Sequence, residues 1–168
     1  AETISLNIYL PKLREVEALN ATKIEKKSCQ VFPDLERFVA NNVTEIEEGC
    51  FKNNYNLKEL SLKKVQHIGD ECFSDIQKVE NLMLNNLKSC GDKCFTSMSK
   101  LKNMQAVRLE KAGAGSFDAT HSLEILNSPL LQNRLELFKH HRNRRAILKS
   151  MREKGFLRHI MHSGALAK

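Results

Sequence analysis

The sequence contains no apolar run near the length of about 18 residues that a membrane-crossing helix needs, so no transmembrane segment is expected. It also lacks a complete cysteine framework. The five cysteines are odd in number, and no second ligand pair stands at zinc-site spacing from Cys90 and Cys94, so neither metal nor cofactor is expected. Neither His140 nor His141 has a Ser, Cys or Asp partner fixed by spacing. His67, His140 and His141 read as surface residues, and because catalysis needs unlike groups converging on one pocket, no catalytic residue and no small-molecule substrate are assigned. Acidic residues are scarce in one region only. Up to residue 133, 17 Lys and Arg face 18 Asp and Glu, whereas from Arg134 onward 10 face 2. The net charge of +7 therefore belongs to the C-terminal stretch. No aromatic residue is interleaved with that basic cluster, so base stacking on nucleic acid is not indicated. The chain opens on Ala with neither an initiator Met nor a visible leader, which fits a removed leader or a cut from a longer chain.

What the sequence does contain is repetition. The 22-letter phrase LKELSLKKVQHIGDECFSDIQK, from Leu57 to Lys78, recurs without a gap from Leu13, Leu35, Val79 and Leu101, and a sixth copy opens at Leu123 and decays. Units this short cannot bury their own apolar face and must stack as a solenoid. With each unit numbered from its leading Leu or Val, position 4 holds Val16, Phe38, Leu60, Leu82, Met104 and Leu126, and position 6 holds Ala18, Ala40, Leu62, Leu84 and Ala106. That alternation predicts a half-buried strand, one per unit, with Leu60, Leu82 and Met104 joined by a common ladder. Positions 3, 5 and 7 then face solvent. On this surface Arg37, Val39, Glu59, Ser61, Met83, Asn103 and Gln105 are the candidate partner-binding residues, with Val39, Met83 and Val107 as its outward apolar members. Behind the strand, Ile68, Cys72, Phe73 and Ile76 have the spacing of a short helix that Asp70 would cap.

At these columns the chain resembles the leucine-rich repeats, and in particular their BspA-like subclass, whose unit carries an Ile-Gly-x-x-Ala/Cys-Phe signature behind the strand. The residues that carry the likeness are Ile68, Gly69, Cys72 and Phe73, then Cys90, Gly91, Cys94 and Phe95, with Ile46, Cys50 and Phe51 and with Ala112, Gly113, Ser116 and Phe117 in flanking copies. It covers about Leu13 to Leu126. At position 9 the Asn ladder common in leucine-rich repeats gives way to Ala21, Val43, Val65, Leu87 and Leu109, as it does in that subclass. The resemblance implies a non-enzymatic protein-recognition scaffold, in some members a surface adhesin.

The predicted fold is therefore an α/β leucine-rich-repeat solenoid of short parallel strands and short helices. Residues 1–12 are expected to form an N-terminal capping strand carrying Ile4, Leu6, Ile8 and Leu10, or the remnant of a longer array. Residues 13–128 form the solenoid, and 129–168 a basic C-terminal helix and tail. After Pro129 the composition, free of Gly and Pro up to Gly155, predicts one helix of about six turns. Leu131, Leu135 and Phe138 would close the open end of the solenoid. That role leaves Lys139, Arg142, Arg144, Arg145, Lys149 and Arg152 unexplained, and such a cluster suits an anionic partner: an acidic protein, a nucleic-acid backbone such as RNA, or anionic lipid. Phe156, Leu157, Ile160 and Met161 follow as an apolar patch. Cys50, Cys72 and Cys94 share the buried column beside Phe, and free thiols there favour a cytoplasmic location. Two glycosylation sequons, at Asn20 and Asn42, favour the cell surface instead. The function expected first is a structural scaffold subunit of an intracellular assembly. A secreted adhesion module is the second reading, and a ribonucleoprotein component the third.

Overall fold

The structure, a computed structural model, describes residues 2–4, 9–30, 32–132, 137–138 and 141–151. Its strands are β1 (Glu2–Ile4), β2 (Glu15–Glu17), β3 (Ala21–Ile24), β4 (Arg37–Val39), β5 (Glu45–Ile46), β6 (Glu59–Ser61), β7 (His67–Ile68), β8 (Asn81–Met83), β9 (Ser89–Cys90), β10 (Asn103–Gln105), β11 (Lys111–Ala112) and β12 (Ile125–Asn127). All pairings between them are parallel, and apart from that of β1 with β3 their partners differ by 22 in number. Each 22-residue unit is thus one coil of a solenoid, and its core is made by the coils on either side of it.

The coil has three hydrogen-bonded sides. On the first, β2, β4 and β6 form one sheet and β8, β10 and β12 another, at the positions where the alternation predicts strands. The second is a continuous sheet in the order β1-β3-β5-β7-β9-β11. Sequence periodicity did not reveal it, because two to four residues per coil are too few to alternate. His67, expected in a turn, lies here in β7 and shares a 2.8 Å hydrogen bond with Ser89.

The third side corrects the predicted short helices. The stretch holding Ile68, Cys72, Phe73 and Ile76 is a chain of turns. Positions 15 and 19 of successive coils are left-handed: Gly49 and Asn53, Glu71 and Asp75, Lys93 and Ser97, Gly115 and Ala119. A left-handed residue every fourth position breaks a right-handed helix. It turns backbone groups outward to the next coil instead. Phe51 N–H donates to Cys72 O, Phe73 N–H to Cys94 O and Phe95 N–H to Ser116 O, each at 2.9 Å. Asp70 does not cap a helix. Its carboxylate accepts the backbone N–H of Asp92 at 2.8 Å, and Asp92 does the same for Ala114.

Inside, the columns stack on themselves. Phe51, Phe73, Phe95 and Phe117 are fully buried, with ring centroids 5.4, 5.7 and 5.5 Å apart and nearly parallel. Phe138 continues the stack 5.1 Å from Phe117, so the sixth coil extends further than its decaying letters suggest. Gly91 and Gly113 mark a close approach of the coils, since a Cβ there would lie 2.6 Å from the backbone nitrogen of Asp70 and 2.4 Å from that of Asp92. That approach is the physical content of the glycine in the Ile-Gly signature.

The end of the chain differs from the single long helix expected. Pro129 and Leu130 form a turn, residues 141–143 are not helical, and among the described residues Leu137 is helical and a short helix, α1, covers 144–151. The closing role predicted for Leu131 and Phe138 holds, as both are buried; Leu135 lies outside the described residues. Ile147 and Met151 of α1 are buried as well. His141 fastens the approach: its Nε2–H donates to Thr120 O at 3.0 Å while its Nδ1 accepts from Asn143 N–H at 3.1 Å.

Candidate interaction surface

Because side chains alternate along a strand, positions 3 and 5 of the first side line up from coil to coil as two outward columns. In the first half they form an ion cluster. Arg37 reaches Glu17 at 2.5 Å, Glu59 at 3.3 Å and Glu15 at 3.8 Å, which leaves this part net acidic. In the second half they carry amides. Asn103 donates to the side-chain oxygen of Asn81 at 2.8 Å, and Asn127 to that of Gln105 at 2.7 Å. Between the halves Ser61 donates to Asn41 at 2.8 Å, and Met83 stands 61% exposed. Six of the seven predicted face residues are thus accessible along one side. Val39 is the correction, being 7% exposed and part of the core. It is flanked in register by Glu17 and Ser61, whose bonds to Arg37 and Asn41 draw polar side chains together around it.

The ladder expected to join Leu60, Leu82 and Met104 is interrupted. Leu82 and Met104 are partners in register, but β6 and β8 are not paired. Most Cα separations between these two strands exceed 8 Å, against about 4.8 Å for hydrogen-bonded neighbours. One coil earlier, Lys58 and Glu59 N–H both bond Glu36 O, and Ala40 N–H bonds Ser61 O. The equivalent N–H groups of Glu80, Asn81 and Leu62 make no such bond. The opening is a slit of about 460 Å³ lined by Glu59, Leu60, Ser61, Lys63, Asn81, Met83, Asn85 and Asn86. Leu60, whose counterparts Phe38, Leu82 and Met104 are fully buried, is only half-buried at its floor. The other two sides of the solenoid stay bonded at the same level, through Gly91 N–H to Ile68 O and Phe73 N–H to Cys94 O. The slit coincides with two bulky leucines, Leu62 and Leu84, stacked at position 6 where neighbouring coils carry Ala40 and Ala106.

Position 2 carries an alternating column of charge. Its residues alternate in sign from coil to coil: Arg14, Glu36, Lys58, Glu80, Lys102, Glu124. Lys58 pairs back with Glu36 at 2.7 Å and Lys102 with Glu80 at 2.9 Å, and no ion pair joins Lys58 to Glu80 across the slit. These pairs hold Glu36 and Glu80 below the ordinary carboxylate value, chiefly through the lysine hydrogen bond.

The family model described as the BspA type leucine-rich repeat region, in six copies, matches residues 22–142, more than two thirds of the chain. The chain belongs to the BspA-type leucine-rich repeat family. Repeats of this class generally mediate protein–protein interaction. Comparison with curated proteins and with solved structures gave no match.

In this BspA-type solenoid the signature cysteines are structural. Cys29, Cys50, Cys72, Cys90 and Cys94 are buried and unpaired. At position 16, Cys50 Sγ donates to Glu47 O and Glu25 O at 3.0 Å each, just as Ser116 Oγ donates to Gly113 O and Gly91 O at 2.8 and 2.9 Å. Burial pushes the thiols of Cys29 and Cys94 well above their ordinary range. Among the described residues no group of His, Cys, Asp and Glu is arranged to hold a metal ion, and no helix is long and apolar enough to cross a membrane. Of the predicted basic cluster, Lys139 and Arg152 lie outside the described residues. Arg142, Arg144, Arg145 and Lys149 are exposed beside the cap, and no described carboxylate pairs with the three arginines. Arg142 borders a pocket of about 430 Å³ that His121, His141 and Asp118 also line.

Proposed function

We propose that this chain is a non-enzymatic scaffold subunit of a larger intracellular assembly, holding a protein partner on the outward columns of its first side. The observation that carries the reading is the accessible run from Glu59 and Ser61 through Met83 to Asn103 and Gln105, polar groups set out on two adjacent ladders around one exposed methionine. Backing of this kind lowers the ordering cost of an interface. Arg142, Arg144, Arg145 and Lys149 supply the second contact, an electrostatic anchor for an anionic partner. Five unpaired buried thiols suit a reducing compartment.

Co-purification of the tagged chain, with partners quantified by mass spectrometry, tests both contacts. Met83→Glu with Gln105→Lys is expected to remove the face-bound partner. Arg142→Glu, Arg144→Glu and Arg145→Glu together are expected to remove the anionic one and, in the parent chain, capture falls steeply with salt. Unchanged capture by either variant overturns the corresponding contact.

A further inference from the structure

We propose that the slit between β6 and β8 is a receptor for one extended polypeptide segment of a partner, taken up as an inserted parallel strand. The inference deepens the reading above and rests on it only in taking the partner to be a protein.

Geometry restricts the occupant. A strand seated between two others needs their axes about 9.6 Å apart, twice the ordinary spacing, and most Cα pairs across this slit already lie beyond 8 Å. Both walls present unused backbone groups, including the N–H of Leu62 on one and those of Glu80 and Asn81 on the other. Only another backbone in extended conformation carries donors and acceptors at matching intervals. The remaining ladders at this level are complete, so occupation requires no unfolding elsewhere.

The walls also specify side chains. Position 4 of the inserted strand would lie beside half-buried Leu60, and position 6 beside Leu62, which calls for two small apolar residues separated by one. On the outward side the segment passes Glu59 at position 3 and Lys63 at position 7. Charge complementarity then sets its direction: with every ladder of the solenoid parallel, a basic residue comes first and an acidic one four residues later. Asn86 Nδ2 bonds Lys63 O at 2.7 Å and closes the slit beyond that point, limiting the seated segment to about five residues.

The test uses the whole chain and a fluorescein-labelled peptide with Lys-Val-Ser-Val-Glu between Gly-Ser flanks, read by anisotropy and by amide exchange. Saturable binding is expected, with slowed exchange at Leu62, Glu80 and Asn81. Placing Pro at the central Ser should weaken binding about tenfold or more, as loss of one or two backbone hydrogen bonds requires. The charge-reversed peptide should bind worse to the parent chain and better to the Glu59→Lys, Lys63→Glu double variant. Absence of binding up to millimolar peptide, indifference to Pro, or protection at other amides overturns the inference. So does protection of the same amides by self-association without peptide, which would make a second copy the occupant. If the peptide fails while Met83→Glu with Gln105→Lys still abolishes co-purification, the slit proposal falls and the scaffold reading stands.

Discussion

At the scale of single residues, position within the coil decides what a side chain does. Phe95 stacks between Phe73 and Phe117 with no exposed surface, and Phe95→Ala is expected to cost about 3–5 kcal/mol in urea denaturation. Met83→Ala, on the open face, should stay within about 0.5 kcal/mol of the parent. The five thiols should be silent toward an aromatic disulfide reagent in the folded chain and all react after denaturation, since they are buried and unpaired. The Phe and Cys columns were legible because stacking copies the same demand into every unit. Val39 was not, because its burial depends on bonds made by Arg37 and Ser61 in and beside neighbouring coils. Asp70 was misread for a related reason: a carboxylate before an apolar stripe signals a helix cap, whereas here its acceptor is spent on the coil above.

Among the elements, the first-side strands proved readable, whereas the second-side strands and the turns of the third side did not. Alternation at positions 4 and 6 places the first-side strands correctly, because one face of each is buried and the other wet. The stripe through Cys72, Phe73 and Ile76 has helical spacing, yet left-handed Glu71 and Asp75 hand the backbone bonds to the adjacent coil. No pattern of letters marks a left-handed Glu, although Gly49 and Gly115 at the same position hint at it. The slit makes its own prediction. Met83→Cys with Gln105→Cys, partners in register, should crosslink under mild oxidation, whereas Ser61→Cys with Met83→Cys should not, since disulfides need Cα atoms within about 7 Å. Adding Leu84→Ala should let the second pair crosslink if stacked Leu62 and Leu84 wedge the strands apart. That substitution should itself cost about 2–5 kcal/mol.

For the whole molecule, coil-to-coil ion pairs tie stability to pH. Glu36, Glu47 and Glu80 are held below the ordinary value of 4.5, mainly by hydrogen bonds from Lys58, Lys23 and Lys102. A lowered carboxylate contributes stability above its unfolded value and loses it as pH falls through the folded one. His141 acts in the same direction. Burial lowers it from 6.5, so the unfolded chain protonates first on acidification and the folded cap loses ground below that pH. Melting temperature should therefore decline from about pH 6.5 downward and more steeply below about 4.5. The carboxylate part should be muted in molar salt, because the pairs are exposed. A flat profile between pH 3 and 7 would contradict these assignments.

Amide hydrogen exchange along the full chain tests the central claim most directly, that identical coils are bonded edge to edge on three sides with one seam left open. Slow exchange is predicted to recur every 22 residues, at Phe51, Phe73 and Phe95 on one side and at Lys58, Lys102 and Glu124 on another, and to be missing at Leu62, Glu80 and Asn81. Protection at those three amides as strong as at Ala40, Lys58 and Glu59, or slow exchange without the 22-residue recurrence, would contradict it.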